Sequence, residues 1–396
     1  MKNKFFYILF LLYFLTLPFY STDLIVFLSI SEIIIIFLFI LVIIDIFRKK
    51  KNTITTVKLV YISLVSVFII INFVHLLLIQ NENLFSFTTS VINIFLIISV
   101  IFYFNENEKV TKYAMVSLYV GLLLFSLFGI TQYIFYNVFS INFFLVQDYS
   151  GSRISGLFTN PNSYAFFLHY GVIFSFIYFY KEKGIKNLAL LIIFVVAIYL
   201  SGSSGALFSS LIAISIYMLR KASLHKKIIL LLAGISMLLI VVSYTNTLNF
   251  LLTDDGLESR LQIWAFTLND FTSNLFFGVG FGNFREYLQS DYLSHNLYLQ
   301  VLVETGIVGI ALFLLLIFGP LTLFRKSQNI KNEILVFSLL SMVLHSFFIN
   351  SFNSPILWVV VALAISLRSL KEIKYYEEDI SLPRNAKCRR IEKKFV

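Results

Sequence analysis

The chain has 396 residues, 59% of them hydrophobic and 13% charged, with a formal net charge of +10. Soluble chains carry roughly 25% charged residues, and one soluble core of this length cannot hide so much apolar surface, so lipid must solvate the chain. The single cysteine, Cys388, excludes a disulfide framework and a cysteine-based metal site.

A helix needs about 20 apolar residues to cross the hydrocarbon of a bilayer. In chain order the predicted spans are Phe5–Tyr20, Leu24–Phe47, Leu59–Ile79, Leu84–Phe104, Tyr113–Tyr136 and Ser163–Tyr180. Six more follow at Leu188–Leu200, Ala206–Leu219, Ile228–Tyr244, Gly306–Phe324, Ile334–Ile349 and Pro355–Leu367. The first follows Lys2 and Lys4, as a signal peptide would. Its end, Leu17 to Tyr20, offers no small-residue cleavage site, so it reads as an uncleaved span. Residues 188–219 divide at Ser201-Gly202-Ser203-Ser204-Gly205, a turn sequence. Lysines and arginines flank both outer ends of that pair (Lys181, Lys183, Lys186, then Arg220, Lys221, Lys226, Lys227), which makes it a hairpin with both flanks cytoplasmic.

Charge tests this topology. With both termini in the cytoplasm, of the 31 Lys and Arg only Arg153, Arg260 and Arg285 face outward. The expected fold is an all-α polytopic membrane protein of about twelve helices: one transmembrane domain over 1–367, with outward loops 137–162 and 245–305 as its active face. A basic cytoplasmic tail, 368–396, reads as an anchor near anionic lipid rather than a nucleic-acid site. Within the long loop a helical stretch starts near Ser259. Its apolar positions Leu261, Trp264, Ala265 and Leu268 share one face, expected to lie on the membrane or the bundle. Inside the spans the only acids are Glu32 and Asp45, and His75, His169 and His345 are read as hydrogen-bonded structural groups.

Three outward segments concentrate polar residues. The first is Arg153-Ile-Ser-Gly156-Leu-Phe158-Thr-Asn160-Pro161-Asn162. The second is Ser259-Arg260-Leu-Gln-Ile-Trp264, followed by Asn274-Leu-Phe-Phe-Gly278-Val-Gly280-Phe-Gly282-Asn283-Phe284. The third is Ser294-His295-Asn296-Leu297, then Glu304-Thr-Gly306-Ile-Val-Gly309. In this order, over about 190 residues from Arg153 to Phe347, they resemble the bacterial O-antigen ligase and O-antigen polymerase family of membrane glycosyltransferases. The resemblance implies a helical membrane glycosyltransferase fold and a metal-independent, inverting transfer without a cofactor. The implied donor is an undecaprenyl-diphosphate-linked glycan at the outer face of the bacterial inner membrane, the acceptor another glycan or a lipid A-core. A chain-length regulator is a candidate further partner. Many relatives carry an arginine in the turn corresponding to Ser201–Gly205; here that turn has none, and Arg153 or Arg285 is the candidate replacement.

The residue chemistry points the same way. A departing diphosphate gains negative charge, and arginine meets phosphate with a planar, permanently charged fork. Arg153, Arg260 and Arg285 are therefore the candidate diphosphate-binding residues, with lipid-headgroup contact as the alternative reading of each. His295, with an ordinary pKa near 6.5, is the candidate catalytic proton acceptor, alongside Arg260; a helix-capping role is its alternative. Trp264, Asn296 and Glu304 are candidate supporting residues. The run Gly278-x-Gly280-x-Gly282 lacks the strand and spacing of a nucleotide fingerprint and reads as a tight turn. Asp254, Asp255 and Glu258 read as a solvated turn rather than a cation site. Polymerase, ligase and, from another class, a lipid-linked oligosaccharide flippase remain as functions. The flippase is disfavoured by the lack of midplane charge and internal repeats.

Overall fold

The structure, a computed structural model, describes residues 4–19, 30–48, 55–79, 84–104, 108–142, 146–148, 151–223, 257–270, 275–288, 294–322 and 329–367. The predicted span Ile228–Tyr244, the acids Asp254 and Asp255, the Glu258 side chain, Asn274, Cys388 and the tail 368–396 lie outside the described residues.

Lipid offers backbone groups no partner, so apolar segments satisfy them internally as helices. The described residues form α1 (Lys4–Thr16), continued by a 3-10 turn at Leu17–Phe19, α2 (Ile30–Arg48), α3 (Thr56–Leu78), α4 (Leu84–Phe104) and α5 (Glu108–Phe139). After a small hairpin come α6 (Pro161–Glu182), α7 (Ile185–Leu200), α8 (Ser204–Lys221), α9 (Leu257–Asp270), α10 (Phe284–Leu288), α11 (Leu297–Thr322) and α12 (Ile330–His345). The last described helix is α13 (Pro355–Leu367). Helices α3, α5, α6 and α11 contain segments long and apolar enough to cross a membrane, and shorter apolar helices accompany them. The chain is a polytopic helical membrane protein.

The bundle is built by α6 against α7, α8 and α12, α5 against α1 and α7, and α3 against α4 and α11. Helix α13 is apolar all round and almost wholly buried, including Trp358, as suits a central helix. Polar side chains mark the two ends. At one end Lys58 donates to the Phe102 carbonyl of α4 at 2.7 Å. There too the buried Glu333 of α12 pairs with Lys181 of α6 at 2.9 Å and Lys221 of α8 at 2.6 Å. At the other end the start of α6, the turn between α7 and α8, the start of α11 and the close of α12 converge. The parity expected for the 188–219 hairpin is therefore present.

Three features differ from the sequence reading. Residues before α6 form two short antiparallel strands, β1 (Val146–Asp148) and β2 (Gly151–Arg153), with Val146 opposite Arg153. Helix α5 runs past both ends of the predicted Tyr113–Tyr136. Helix α11 starts at Leu297, well before the predicted Gly306, because Asn296 caps it: its side-chain oxygen accepts the N–H groups of Tyr298 at 3.0 Å and Leu299 at 3.1 Å.

Gly306 nonetheless breaks α11, with φ 67° and ψ −170°. A break in an apolar helix frees backbone groups that lipid cannot satisfy. The segment 275–284 supplies the partners. Val279 N–H donates to the Val303 carbonyl at 2.9 Å and Gly280 N–H to that of Glu304 at 3.0 Å, while the Leu275 carbonyl accepts Ile307 N–H at 2.9 Å. The approach is so close that a Cβ on Gly278 would collide with Val303 and Glu304, and one on Gly306 with Phe276. The glycine run is thus a backbone turn, docked on the break.

Candidate active site

Where that turn meets α11 there is a cavity of about 420 Å³. Arg285, Gln300, Glu304, Asn350 and Asn353 supply its polar wall; Phe281, Phe284 and Phe352 supply aromatic faces. Glu304, 1% exposed, is held as an acceptor. Gln300 Nε2 donates to it at 2.8 Å, and the backbone N–H groups of Gly282 and Phe284 donate to it as well. Gln300 Oε1 in turn accepts from Asn350 Nδ2 at 2.6 Å and from Ser294 Oγ at 3.2 Å. Each of these side chains is oriented by its neighbours, which is the preorganisation a binding wall needs. Arg285 is exposed at the rim, where its fork can meet an anion. Amide groups and flat rings around a polar hollow suit a hydroxylated ring compound.

The His295 segment joins this wall through Ser294. Trp264 Nε1 donates to the Ser294 carbonyl at 2.9 Å, tying α9 to it. Trp264 also packs on the small cluster Phe284, Leu299 and Val303. Of the other stripe positions, Leu261 is 48% and Leu268 50% exposed. His295 is half-buried and has φ 46°, a left-handed backbone uncommon outside glycine. The capping role weighed for His295 belongs to its neighbour Asn296. Arg260 falls in the first turn of α9; its side chain lies outside the described residues.

Arg153 does not line the cavity. Strand β2 carries it to the α7–α8 turn, where its Nε donates to the Ser201 carbonyl at 2.7 Å and Nη2 to Asn162 Oδ1 at 3.3 Å. Gly202 makes room: a Cβ there would lie 2.8 Å from Arg153 Nε. The turn without an arginine of its own is therefore occupied by Arg153 from another segment. The rest of that first motif is structural. Gln132 binds both backbone groups of Gly156, at 2.6 and 3.0 Å, and Asn160 caps α6 with Pro161 in its first turn.

Arg285 and Glu304 thus line one cavity; Ser294, bonded to its wall at Gln300, also bonds Trp264 and Asn296 and precedes His295 in the chain; Arg153 stands at the α7–α8 turn. Gln300, Asn350 and Asn353 were not singled out from sequence. A polar stripe at every fourth residue, Asn296, Gln300, Glu304, in an apolar helix was the available signal. Among the described residues no three His, Cys, Asp or Glu side chains gather as a metal site would require.

Compared with known proteins, residues 189–314 match the model of a family described as O-antigen ligase. The matched stretch holds Arg260, Trp264, Arg285, His295, Asn296 and Glu304, and leaves out Arg153. None of the curated proteins compared matches the chain. Residues 189–314 are thus similar to an O-antigen ligase domain, a stretch that takes in the second and third polar motifs.

Proposed function

We propose that the protein is a surface-polysaccharide polymerase. It joins an undecaprenyl-diphosphate-linked glycan to a sugar acceptor at the outer face of the bacterial cytoplasmic membrane. The observation that carries this reading is the polar cavity between Arg285 and Glu304, wired through Gln300 and Ser294 to the segment bearing His295. The bundle has about twelve spans with both termini cytoplasmic, so the arginine-bearing end faces outward, in keeping with the placement of lysines at the other end.

In the transfer, the acceptor hydroxyl oxygen attacks the sugar C1 as the C1–oxygen bond to the diphosphate breaks. The bonding pair leaves with the diphosphate, and the hydroxyl proton passes to His295. Arg260, Arg153 and Arg285 offset the growing phosphate charge. No metal enters this scheme. A chain-length regulator is a possible partner rather than a part of the site.

The match to a family described as O-antigen ligase favours one second reading, a ligase that moves finished glycan to lipid A-core or protein. Deleting the gene and running the surface glycan on a gel separates the readings. Single repeats on core mean polymerase; bare core with accumulated lipid-linked polymer means ligase. Unchanged glycan overturns both, and uptake of lipid-linked oligosaccharide by vesicles holding the purified protein would mean a flippase.

A further inference from the structure

Deep in the bundle two histidines, 176 positions apart in sequence, meet ring to ring: His169 Nε2 lies 3.0 Å from His345 Nδ1. Both are at most 1% exposed. His169 Nδ1 faces two hydroxyls, Ser341 Oγ at 2.7 Å and Ser210 Oγ at 2.9 Å. His345 Nε2 faces Ser203 Oγ at 3.5 Å. Intramembrane ionisable groups are costly and need a reason to be there. Helix gluing is one. Position supplies another.

His345 closes α12, and the two sides of the active end hang from it. On one side, its ring reaches Ser203. Ser203 N–H bonds Ser201 Oγ at 3.3 Å, and the Ser201 carbonyl holds Arg153. Gly205 of the same turn rests on Phe348, just beyond α12, its Cβ position 3.1 Å from the Phe348 side chain. On the other side, the carbonyl of Ser346 accepts Leu297 N–H at 2.9 Å, and Tyr298 OH donates to the Val343 carbonyl at 2.7 Å. Leu297 lies two residues from His295. The end of α12 is therefore the shared anchor of the Arg153 turn and the His295 segment.

The proton order in the chain is coupled. If His345 donates from Nε2 to Ser203, its Nδ1 must accept from His169 Nε2–H, and His169 Nδ1 then accepts from the two serines. If His345 instead accepts from Ser203, every bond reverses. Either way two neutral rings satisfy all four ring nitrogens, and the ring facing Ser203 is fixed in plane and tilt.

We propose that His345, the ring of the His169–His345 pair that faces Ser203, is a positioning residue that sets the α7–α8 turn, and with it Arg153, at a fixed place relative to His295. The proposal rests on the roles given above to Arg153 and His295. Displacing a phosphate-binding arginine by about 1 Å can cost up to 10²-fold in rate.

Two isosteres separate positioning from gluing. His345→Gln places an amide where Nε2 stood, keeping Ser203 and releasing His169. His345→Asn keeps the Nδ1 contact to His169 and releases Ser203. Transfer is measured in membranes of a deletion strain expressing each variant, with lipid-linked glycan accumulated by that strain as donor and protein level matched. Positioning predicts that His345→Asn loses about tenfold in rate at saturating donor while His345→Gln keeps most of it; a purely structural pair predicts the reverse order. In an Arg153→Gln background, His345→Asn should cost less than about twofold more, since its effect runs through Arg153. Where His345→Asn does not accumulate, Ser203→Ala enters the same cycle. Multiplying losses, or Asn milder than Gln, overturn the positioning role and leave the function standing. Normal transfer by Arg153→Gln alone overturns both this proposal and the role given to Arg153.

Discussion

At the scale of single residues, His295 sits in a left-handed backbone at φ 46°, a conformation that costs a non-glycine residue about 1–3 kcal/mol. Such strain persists where a side chain is needed in one place. His295→Gly should therefore leave the melting temperature of the purified protein unchanged or raise it while abolishing transfer; a fall in melting temperature would make the residue structural. His295→Gln keeps hydrogen bonding without proton transfer, and transfer near the normal rate would end its catalytic role. As a base, His295 acts neutral, so transfer should rise with pH. As a cation steadying the leaving phosphate, it would make transfer fall as pH rises. The first slope is expected, and general-base help is worth typically 10²–10⁴-fold. For Arg260 the fork matters beyond the charge. Arg260→Ala should lose ten- to a hundredfold, equivalent to roughly 1.5–3 kcal/mol for a charge-assisted bond. Arg260→Lys should lose less. Unimpaired transfer by Arg260→Ala at normal protein level rules the assignment out. The arginines and His295 were visible in the sequence because basic side chains are rare on the outward segments. Gln300, Asn350 and Asn353 were not, since amides carry no charge signal and Asn350 comes 50 positions after Gln300.

At the scale of elements, hydropathy revealed the long helices because nothing but lipid tolerates such runs. The α7–α8 hairpin was readable from its small-residue turn and flanking lysines. The strands β1 and β2 were not: three residues each carry too short an alternation to read. Helix α11 was begun too late because Glu304-Thr305-Gly306 looks like a loop edge, whereas buried hydrogen bonds make Glu304 part of the helix. The docking of 275–284 on the break at Gly306 depends on bare glycines. Gly278, at φ 75°, should not accept a side chain. Gly278→Ala is expected to destabilise the protein by roughly 1–3 kcal/mol from backbone strain alone, with more from the collision. Thermal unfolding in detergent measures it. A wild-type melting temperature would show that the turn is not docked as described.

At the scale of the whole molecule, the two ends differ in kind as well as in charge. One end pairs Glu333 with Lys181 and Lys221; the other carries Arg153, Arg285, His295 and the cavity. By the positive-inside rule the lysine-bearing end is expected in the cytoplasm. Single cysteines in a Cys388→Ser background, probed on intact cells with an impermeant thiol reagent, should label at Asp255→Cys and stay unlabelled at Gly184→Cys. The opposite pattern would invert the topology and put the cavity in the cytoplasm, away from any outer-leaflet donor. The pairing of His169 with His345 belongs to this scale too: each is the one histidine of its own helix, and only assembly of α6 with α12 joins them.

The break at Gly306 also bears on how the chain is made. During synthesis 275–284 emerges before the residues it will cover, so its partners for the broken helix are waiting when 297–322 arrives. Residues 307–322 form a strongly apolar stretch that can enter the bilayer first. Residues 297–305, with Gln300 and Glu304 among them, become compatible with the membrane boundary only once the glycine turn closes over Gly306. Biogenesis of this end is then expected to be sequential: closure of the turn on α11 forms one wall of the cavity, and Asn350, Phe352 and Asn353, made later, complete it.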